Sequence, residues 1–303
     1  MKEMVCILCN SSERRLVCSG TDRDSTLDNR VYYLYQCCVC GLVYLSPRPD
    51  TPEEIEEIYP STYESYVIKR RIFAMIMRKV AWRSEIAEII ARTSPNSNII
   101  EIGASTGEFL YELHKNGRYF LTGVEINSKI ANIARERYNL NFLVGQLEKL
   151  SLPERSFDMV IMRHVLEHLP DPVLAMKIVA DILNPGGYCI ITIPNIDSHT
   201  SRIFGPDWYG YQIPRHFFLF PQHTLTRIFE IAGLHIERVI HSAAPNIWIG
   251  SARFWLARNG YKGLAQLIHY TNPLAVAAFA PLGILSMILR SSGVIRVVAR
   301  RPT

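Results

Sequence analysis

Residues 98–110 read NIIEIGASTGEFL, in which an apolar strand, a glycine-containing turn and a helix follow one another. The run at 98–102 predicts a buried strand, and Gly103 and Gly107 predict a tight turn before the helix. A chain bends in this way either only to connect the two elements or to place bare backbone against a ligand. The residues that follow decide between these two interpretations.

Predicted strands and helices alternate from residue 98 onward. We predict strands at 98–102, 120–125, 141–144, 157–162, 187–193, 235–241 and 294–300. We predict helices at 172–184, with Asp171 as the N-cap, and at 222–232, preceded by an acidic helix within 46–60 and a helix at 66–93. This alternation predicts an α/β fold, with a Rossmann-like seven-stranded and mostly parallel sheet covered by helices on both faces.

Two C-x2-C pairs, 27 residues apart, lie near the amino terminus: Cys6 and Cys9, then Cys37 and Cys40. Each pair places two thiolates on one side of a turn, so the four cysteines predict a closed, structural Zn²⁺ site. Asn10 and Gly41 follow the pairs, and both tolerate the left-handed backbone of such turns. With the β-prone segment RVYYLYQC between them, the pairs predict a zinc ribbon; chance clustering of buried cysteines is the alternative.

The second predicted strand of the α/β region, LTGVEIN, ends in Glu125, 22 residues after Gly103. A carboxylate at this position accepts hydrogen bonds from ribose hydroxyls, both in NAD-binding and in S-adenosylmethionine-binding folds. A dinucleotide needs G-x-G-x-x-G to bring backbone against its pyrophosphate, but this chain has E-x-G-x-S-x-G. Glu101 can hold the ammonium of S-adenosylmethionine directly or through water, so the sequence favours the methyl donor.

Five segments then follow in an order typical of one family: EIGASTG, GVEIN, GQLEKLSLPERSFDMVIMRHVLEHLPDP, LNPGGYCIITIPN and PRHFFLFPQHTLTRIFEIAGL. Over roughly 95–240 and the final strand, the chain resembles the class I S-adenosylmethionine-dependent methyltransferases, especially the ubiquinone-pathway O-methyltransferase-like branch. The resemblance implies that S-adenosyl-L-methionine is the cofactor.

The resemblance also implies a role for each donor-binding segment. The methionine end would contact Gly103, Ser105 and Gly107; the ribose Glu125; the adenine Gln146, Leu147 and Glu148; and the sulfonium His164. The family often has glycine where Ser105 stands, and a serine fits there if its φ is negative.

Methyl transfer from a sulfonium requires alignment of the two reactants and, for a hydroxyl acceptor, removal of a proton. His164, in RHVLEH, and His216, in IPRHFF, are the candidate catalytic residues. In the ubiquinone branch a Glu-x2-Glu-His motif resembles a divalent-metal site, and only Glu167 and His168 match it here. These two residues therefore either bind a metal that activates a hydroxyl or are hydrogen-bonded scaffold. The segment lacks the Asn/Asp-Pro-Pro-Tyr motif of adenine-N6 methyltransferases.

An uncharged apolar segment, TNPLAVAAFAPLGILSMIL, occupies residues 271–289. Pro281 interrupts it, and strands of one sheet flank it, so a single membrane crossing is excluded. Residues 264–290 either contact a membrane surface or pack over the substrate pocket or a partner subunit. We therefore predict four parts: a zinc ribbon at 1–47, a helical linker at 48–94, the methyltransferase domain at 95–245 and 291–303, and an apolar helical insertion at 246–290.

The preferred function is methyl transfer to oxygen or carbon of a small-molecule, sugar or glycan, or lipid-linked acceptor. Relatives with amino-terminal four-cysteine modules include sugar C-methyltransferases. An RNA methyltransferase that holds RNA with its ribbon and a basic helix from Lys69 to Arg83 is the alternative, and a non-catalytic binding module is a third hypothesis. The net charge of +5 selects no partner. The first residues contain no signal-peptide-length apolar run, so we expect the reducing cytosol, with or without peripheral membrane contact.

Overall fold

The structure is a computed structural model that describes residues 5–23, 30–49, 51, 54, 58 and 72–303. Most of the acidic helix predicted within 46–60 lies outside these residues, as does the beginning of the helix predicted at 66–93. Of the basic residues assigned to that helix, Lys69, Arg70 and Arg71 also lie outside the described residues.

The described residues form strands in two sheets. In chain order the strands are β1 (Arg14–Gly20), β2 (Tyr32–Cys37), β3 (Val43–Ser46), β4 (Asn98–Ile102), β5 (Phe120–Glu125), β6 (Asn141–Val144), β7 (Phe157–Arg163), β8 (Leu183–Pro194), β9 (Phe218–Leu219), β10 (His235–His241) and β11 (Val294–Arg300). The helices are α1 (Ile72–Ile90), α2 (Glu108–Asn116), α3 (Ser128–Tyr138), α4 (Pro172–Ile182), α5 (His199–Phe204), α6 (Gln222–Ile231), α7 (Pro245–Arg258), α8 (Lys262–Leu267) and α9 (Pro273–Ile288).

The central sheet has seven strands in the order β10-β11-β8-β7-β4-β5-β6. Strands β4 to β8 pair in parallel, and β11 runs antiparallel between β8 and β10. Successive residues of β4, such as Ile99 and Ile100, belong to separate apolar clusters on the two faces of the sheet. Helices α1, α2 and α3 cover one face, and α4 and α6 cover the other. The predicted Rossmann-like fold is therefore confirmed.

All seven predicted strands of this sheet are present, and the inner strands such as β4 and β7 are mainly buried, whereas β10 at the edge is largely exposed. The end of the helix predicted at 172–184 is wrong by two residues, since α4 ends at Ile182 and β8 begins directly at Leu183. Asp171 caps this helix as predicted, because its side chain accepts hydrogen bonds from the amides of Val173 and Leu174.

The smaller sheet contains β1, β2 and β3 in antiparallel order, and β9 adds a fourth strand to it. The amide of Leu45 also donates to the carbonyl of Phe217 at 2.9 Å. The amino-terminal ribbon is thus not a separate sheet: a segment of the methyltransferase region completes it. Its buried side chains join the same apolar cluster as α4 and α6.

The insertion between β10 and β11 forms three helices, α7, α8 and α9, as its apolar composition suggested. The described residues include no helix with both the length and the hydropathy needed to cross a membrane.

Candidate functional site

The turn after β4 lies at the carboxyl ends of the parallel strands, where α/β proteins bind ligands. Gly103 has φ 71°, and a Cβ at this position would collide with the side chain of Val165. Gly107 also has a positive φ, 74°, but it packs against Ala134, Leu140 and Phe142. Both glycines are therefore required by the local backbone and packing, and of the two only Gly103 lines the cavity described below.

The condition stated for a serine at position 105, a negative φ, is not met, because the φ of Ser105 is 48°. In this left-handed conformation its amide donates to Oε2 of Glu125 at 2.9 Å. The hydrogen bond to the carboxylate therefore holds a strained backbone at the ligand-facing loop.

Glu125, the last residue of β5, is only 5% exposed and lines the same cavity as the loop. Its other oxygen, Oε1, accepts from the amide of Asn127 at 3.0 Å. Each carboxylate oxygen has a further lone pair, so the group can still accept from a ribose hydroxyl. Burial raises the pKa of Glu125, and these backbone donors partly oppose the change.

Glu101 lines the cavity, but an arginine that the sequence reasoning missed lies beside it. Arg163 Nη1 is 3.6 Å from Glu101 Oε1, and Arg163 Nε is 3.4 Å from Glu85 Oε1 on α1. Burial raises the pKa of Glu101 to about 8, although Arg163 lowers it in part. Within the described residues Glu101 Oε2 makes no hydrogen bond, so it is available to an ammonium group or a water.

The three residues assigned to the adenine follow β6 in a short turn that lines the cavity: Gln146, Leu147 and Glu148. Leu147 is buried and supplies the apolar wall that a base requires. All predicted donor-binding residues except Gly107 therefore lie around one space.

A cluster of one carboxylate and three histidines borders the other side of this space. Glu167 is fully buried in the turn after β7, with Oε1 3.2 Å from His164 Nδ1 and 4.0 Å from His216 Nε2. Its second oxygen, Oε2, makes no hydrogen bond to any described residue. The ring of His168 lies edge-on to that of His216, with centroids 4.8 Å apart.

Backbone carbonyls fix the tautomers of two of these histidines. His168 Nδ1 lies 2.9 Å from the carbonyl oxygen of Arg215, and His216 Nδ1 lies 2.7 Å from that of Gly210. A carbonyl only accepts, so each Nδ1 carries the proton and each Nε2 presents a lone pair. Burial lowers the pKa of His168, and it lowers that of His216 to about 3, so both rings are neutral.

Ligand atoms of Glu167, His168 and His216 all lie within 4.8 Å of one another. A carboxylate oxygen without a donor and two Nε2 lone pairs repel one another unless a cation or a proton lies between them. The set therefore fits a divalent cation, and the carbonyl partners of both Nδ1 atoms are the usual outer contacts of metal-binding histidines. Glu167 and His168 were candidates from the sequence, and the fold places His216 beside them as a third candidate ligand.

His164 differs from the other two histidines because its side chain is 47% exposed. It has a left-handed backbone, with φ 55°, and lines the cavity. Its Nδ1 faces the Glu167 carboxylate, which leaves Nε2 as the atom able to accept a proton from a bound acceptor.

A buried ion pair connects this cluster with the amino-terminal segment. Arg215 Nη1 and Nη2 donate to the two oxygens of Asp22 at 3.0 and 2.9 Å, and both side chains are nearly inaccessible. The amide of Phe217 donates to the carbonyl of Glu167 at 2.8 Å. Asp22 therefore anchors the loop that carries His216 and that contacts His168 through Arg215.

The four predicted zinc ligands form a compact cluster. The Sγ atoms of Cys6 and Cys40 are 3.4 Å apart, and those of Cys9 and Cys37 are 3.5 Å apart. In a tetrahedral zinc site with four thiolates and ~2.3 Å bonds, the sulfurs lie about 3.8 Å apart. The sulfurs of this cluster therefore lie slightly closer together than they would around a bound zinc ion. Asn10 has φ 57° and Gly41 has φ 77°, in agreement with the predicted left-handed turns.

Helices α7 and α9 cover the site. The cavity, about 1770 Å³, is bordered on this side by apolar residues of the insertion: Ile247, Ile249, Phe254, Val276, Ile284 and Met287. Ligand cavities of small-molecule sites typically measure about 300–1,000 Å³, so this space has room for two bound molecules.

Residues 75–239 match the family described as Methyltransferase domain. A ubiquinone biosynthesis O-methyltransferase from Coxiella burnetii is 24% identical over 130 residues, which are 41% of this chain and 55% of the relative. A demethylmenaquinone methyltransferase from Listeria welshimeri is 24% identical over 157 residues, which are 48% of this chain and 65% of that relative. The chain thus spans about half to two-thirds of the length of these curated relatives.

Among solved structures, phosphoethanolamine N-methyltransferase 2 from Haemonchus contortus, in complex with S-adenosyl-L-methionine, has a similar fold. The TM-score is 0.56 at 16% identity, over 86% of this chain and 62% of that one. The family match covers more than half of the chain, and the donor-binding features predicted from the sequence meet around one cavity. The protein therefore belongs to the class I S-adenosylmethionine-dependent methyltransferases.

Proposed function

We propose that this methyltransferase acts on a hydroxyl group of a small acceptor that carries a large apolar portion, such as a lipid-linked molecule. One observation carries the proposal: a single cavity is lined by the turn after β4 (the donor loop, residues 103–107), by His164 and by apolar residues of the insertion. A polar or fully charged acceptor, such as a free nucleotide, would leave that wall without a complementary partner. The names of two relatives refer to ubiquinone biosynthesis and to demethylmenaquinone, which supports a quinone-like acceptor.

The chemistry follows from the positions of the residues. The acceptor oxygen attacks the methyl carbon in line with the breaking carbon–sulfur bond, and S-adenosylhomocysteine leaves. His164 Nε2 takes the hydroxyl proton, while Glu167 Oε1, 3.2 Å from Nδ1, stabilises the imidazolium that forms. Glu167, His168 and His216 would hold a divalent cation, which when bound favours the ionised form of a nearby hydroxyl. His216, predicted as a second candidate base, serves better as a ligand because burial lowers its pKa to about 3.

The test is a product screen with methyl-labelled donor and two sets of hydroxylated ring compounds, with and without an alkyl or prenyl tail. We expect mass spectrometry to find a gain of one methyl on oxygen in the tailed set. His164→Gln should lower kcat by ~10²–10⁴-fold and leave S-adenosylhomocysteine affinity unchanged. His114→Gln, at an exposed position of α2, is the control. Methylation of only untailed or polar acceptors would contradict the proposal.

The RNA alternative receives less support from the structure. Two basic residues of α1 that would contact phosphates instead pair with acids of α2: Arg78 with Glu108 at 3.0 Å, and Lys79 with Glu112 at 2.9 Å. Phosphate contacts would require these pairs to break. Retention on RNA at low salt, lost steeply as salt rises, would restore this hypothesis.

We also propose that the four-cysteine cluster binds one structural Zn²⁺. The compact cluster and the two left-handed turns support this assignment, and four thiolates leave no position open for substrate. Elemental analysis of protein purified without chelators should find about one zinc per chain from this site. Protein that is folded, active and free of zinc would exclude it.

A further inference from the structure

Helix α9 exposes an apolar stripe to solvent. Leu274, Pro281, Leu285 and Ile288 follow one another at helical spacing, and all are exposed, with Leu274 at 80% and Ile288 at 67%. Leu264 and Leu267 of α8, in the same insertion, are exposed apolar residues as well. We call these six residues the lid face.

The opposite side of α9 is apolar too. Ala275, Val276 and Gly283 are buried, and the helix contains no charged residue over its 16 residues. A helix that is apolar on all sides belongs in a protein core or in contact with lipid. Because one side of α9 already packs on the protein, the lid face requires a second apolar environment.

The charge of the insertion identifies that environment. Between Ser242 and Arg290 the sequence contains no Asp or Glu. Its basic residues are Arg253, Arg258, Lys262 and Arg290, and all four are exposed, although Arg258 also pairs with the buried Asp207 at 2.7 Å. An apolar surface in a segment with an excess of basic residues is complementary to a bilayer with anionic headgroups. A second copy of this chain would bring two basic borders together, which like-charge repulsion opposes.

The length of the helix fixes its orientation. Sixteen residues span about 24 Å, less than the ~30 Å hydrocarbon core, and the helix contains Pro281 in its interior. The helix can therefore lie in the interface but cannot cross it.

The inner side of α9 borders the candidate active site. Val276, Ala280, Ile284 and Met287 line the cavity that contains the donor loop. One helix thus separates the lid face from the substrate space, and an apolar tail could pass alongside it without crossing bulk water.

We propose that the lid face docks in the plane of a membrane that contains anionic lipids, and that the acceptor reaches the cavity from that membrane. The membrane contact stands on the insertion alone. The delivery of the acceptor rests on the function proposed above. The partner is the lipid surface itself, recognised by apolar insertion together with positive charge.

The test is co-sedimentation of the full chain with phosphatidylcholine vesicles, with or without phosphatidylglycerol. We expect retention only when the anionic lipid is present, and a loss on the order of tenfold or more in the variant L285E/I288E. Neither residue lines the cavity, and both are exposed, so the variant should fold and bind S-adenosylhomocysteine normally. Phe120→Glu is the matched control, because Phe120 is 63% exposed but begins β5, at the opposite end of the sheet from the site.

Three results would overturn the proposal: wild-type protein that stays in solution with anionic vesicles, equal retention on both vesicle types, or retention that the double substitution leaves unchanged. A dimer in light scattering that L285E/I288E dissociates, without vesicle retention, would instead assign the lid face to a second copy. If vesicles retain the protein but no tailed acceptor is methylated, the proposed function fails while the membrane contact stands.

Discussion

The two clusters of candidate metal ligands, four cysteines and the set of Glu167, His168 and His216, are built in different ways. The four cysteines come from two local pairs, each of which positions its thiolates by its own turn. The second cluster joins Glu167 and His168 to His216, which lies 48 residues beyond His168 in the chain on a separate loop. A local turn can be recognised from spacing alone, whereas a site assembled by the fold shows only part of its ligands in the sequence.

The first cluster supports the second. The carbonyl of Cys40 accepts from the hydroxyl of Thr224 at 2.7 Å, and β3 pairs with β9, directly after His216. Asp22 holds Arg215 on the other side of the same loop. We therefore expect the amino-terminal module to stabilise the loop that carries Arg215 and His216, on the acceptor side of the active site, in addition to any contact with the substrate.

The largest effect should come from the cysteines. Cys40→Ser removes one of four ligands, and structural zinc contributes about 10–16 kcal/mol to the folding of small modules. We expect loss of zinc, loss of the module and a large fall in the melting temperature measured by calorimetry. Cys38→Ser is the control, because Cys38 is exposed and lies outside the cluster. Equal melting temperatures for the two variants would contradict a stabilising role of the four-cysteine cluster.

The link between the clusters can be tested at Asp22. Asp22→Asn removes the carboxylate charge that pairs with the buried guanidinium of Arg215, and breaking a buried ion pair costs about 3–5 kcal/mol. We expect this loss in denaturant unfolding together with a fall in kcat. Lys115→Gln disrupts an ion pair that is 43% exposed on the lysine side, and it should cost about 0–1 kcal/mol. Stability and kcat that remain unchanged in Asp22→Asn would show that the loop does not need the module.

The donor-binding residues of β4 and β5 lie apart from the cysteines in the chain, so a change at Glu125 should affect donor binding without affecting the amino-terminal module. Glu125→Ala removes the acceptor for ribose hydroxyls and should weaken S-adenosylhomocysteine binding by about 1–3 kcal/mol in calorimetry. Cys40→Ser protein that remains folded should keep this affinity. Unchanged binding by Glu125→Ala would place the ribose elsewhere.

The smallest effect concerns a proton. Burial raises the pKa of Glu101 to about 8, so this carboxyl is mainly protonated at pH 7. The ammonium of a bound donor favours the ionised form, so binding should release a proton, and affinity should rise with pH until about pH 8. Calorimetry in buffers of different ionisation enthalpy measures the release. Glu101→Gln should abolish it; release that persists in this variant would assign the proton to another group.

The sequence predicted the elements that depend on local pattern. The inner strands β4, β7 and β11 are mainly apolar and buried, and Asp171 and the glycine turn have fixed local requirements, so their positions were recognisable. It did not predict β9, a two-residue strand whose partner β3 lies more than 170 residues earlier. The pairs Asp22–Arg215 and Arg163–Glu101 were missed for the same reason, since only the fold brings them together.

Hydrogen–deuterium exchange before and after removal of zinc tests most directly whether the amino-terminal module stabilises the loop around His216. The amide of Phe217 bonds to the carbonyl of Glu167, and the amide of Gly103 bonds to that of Val124. We expect zinc removal to accelerate exchange at 216–219 and to leave 103–107 unchanged. Equal protection of both segments after the zinc is gone would mean that the acceptor loop stands without the amino-terminal module.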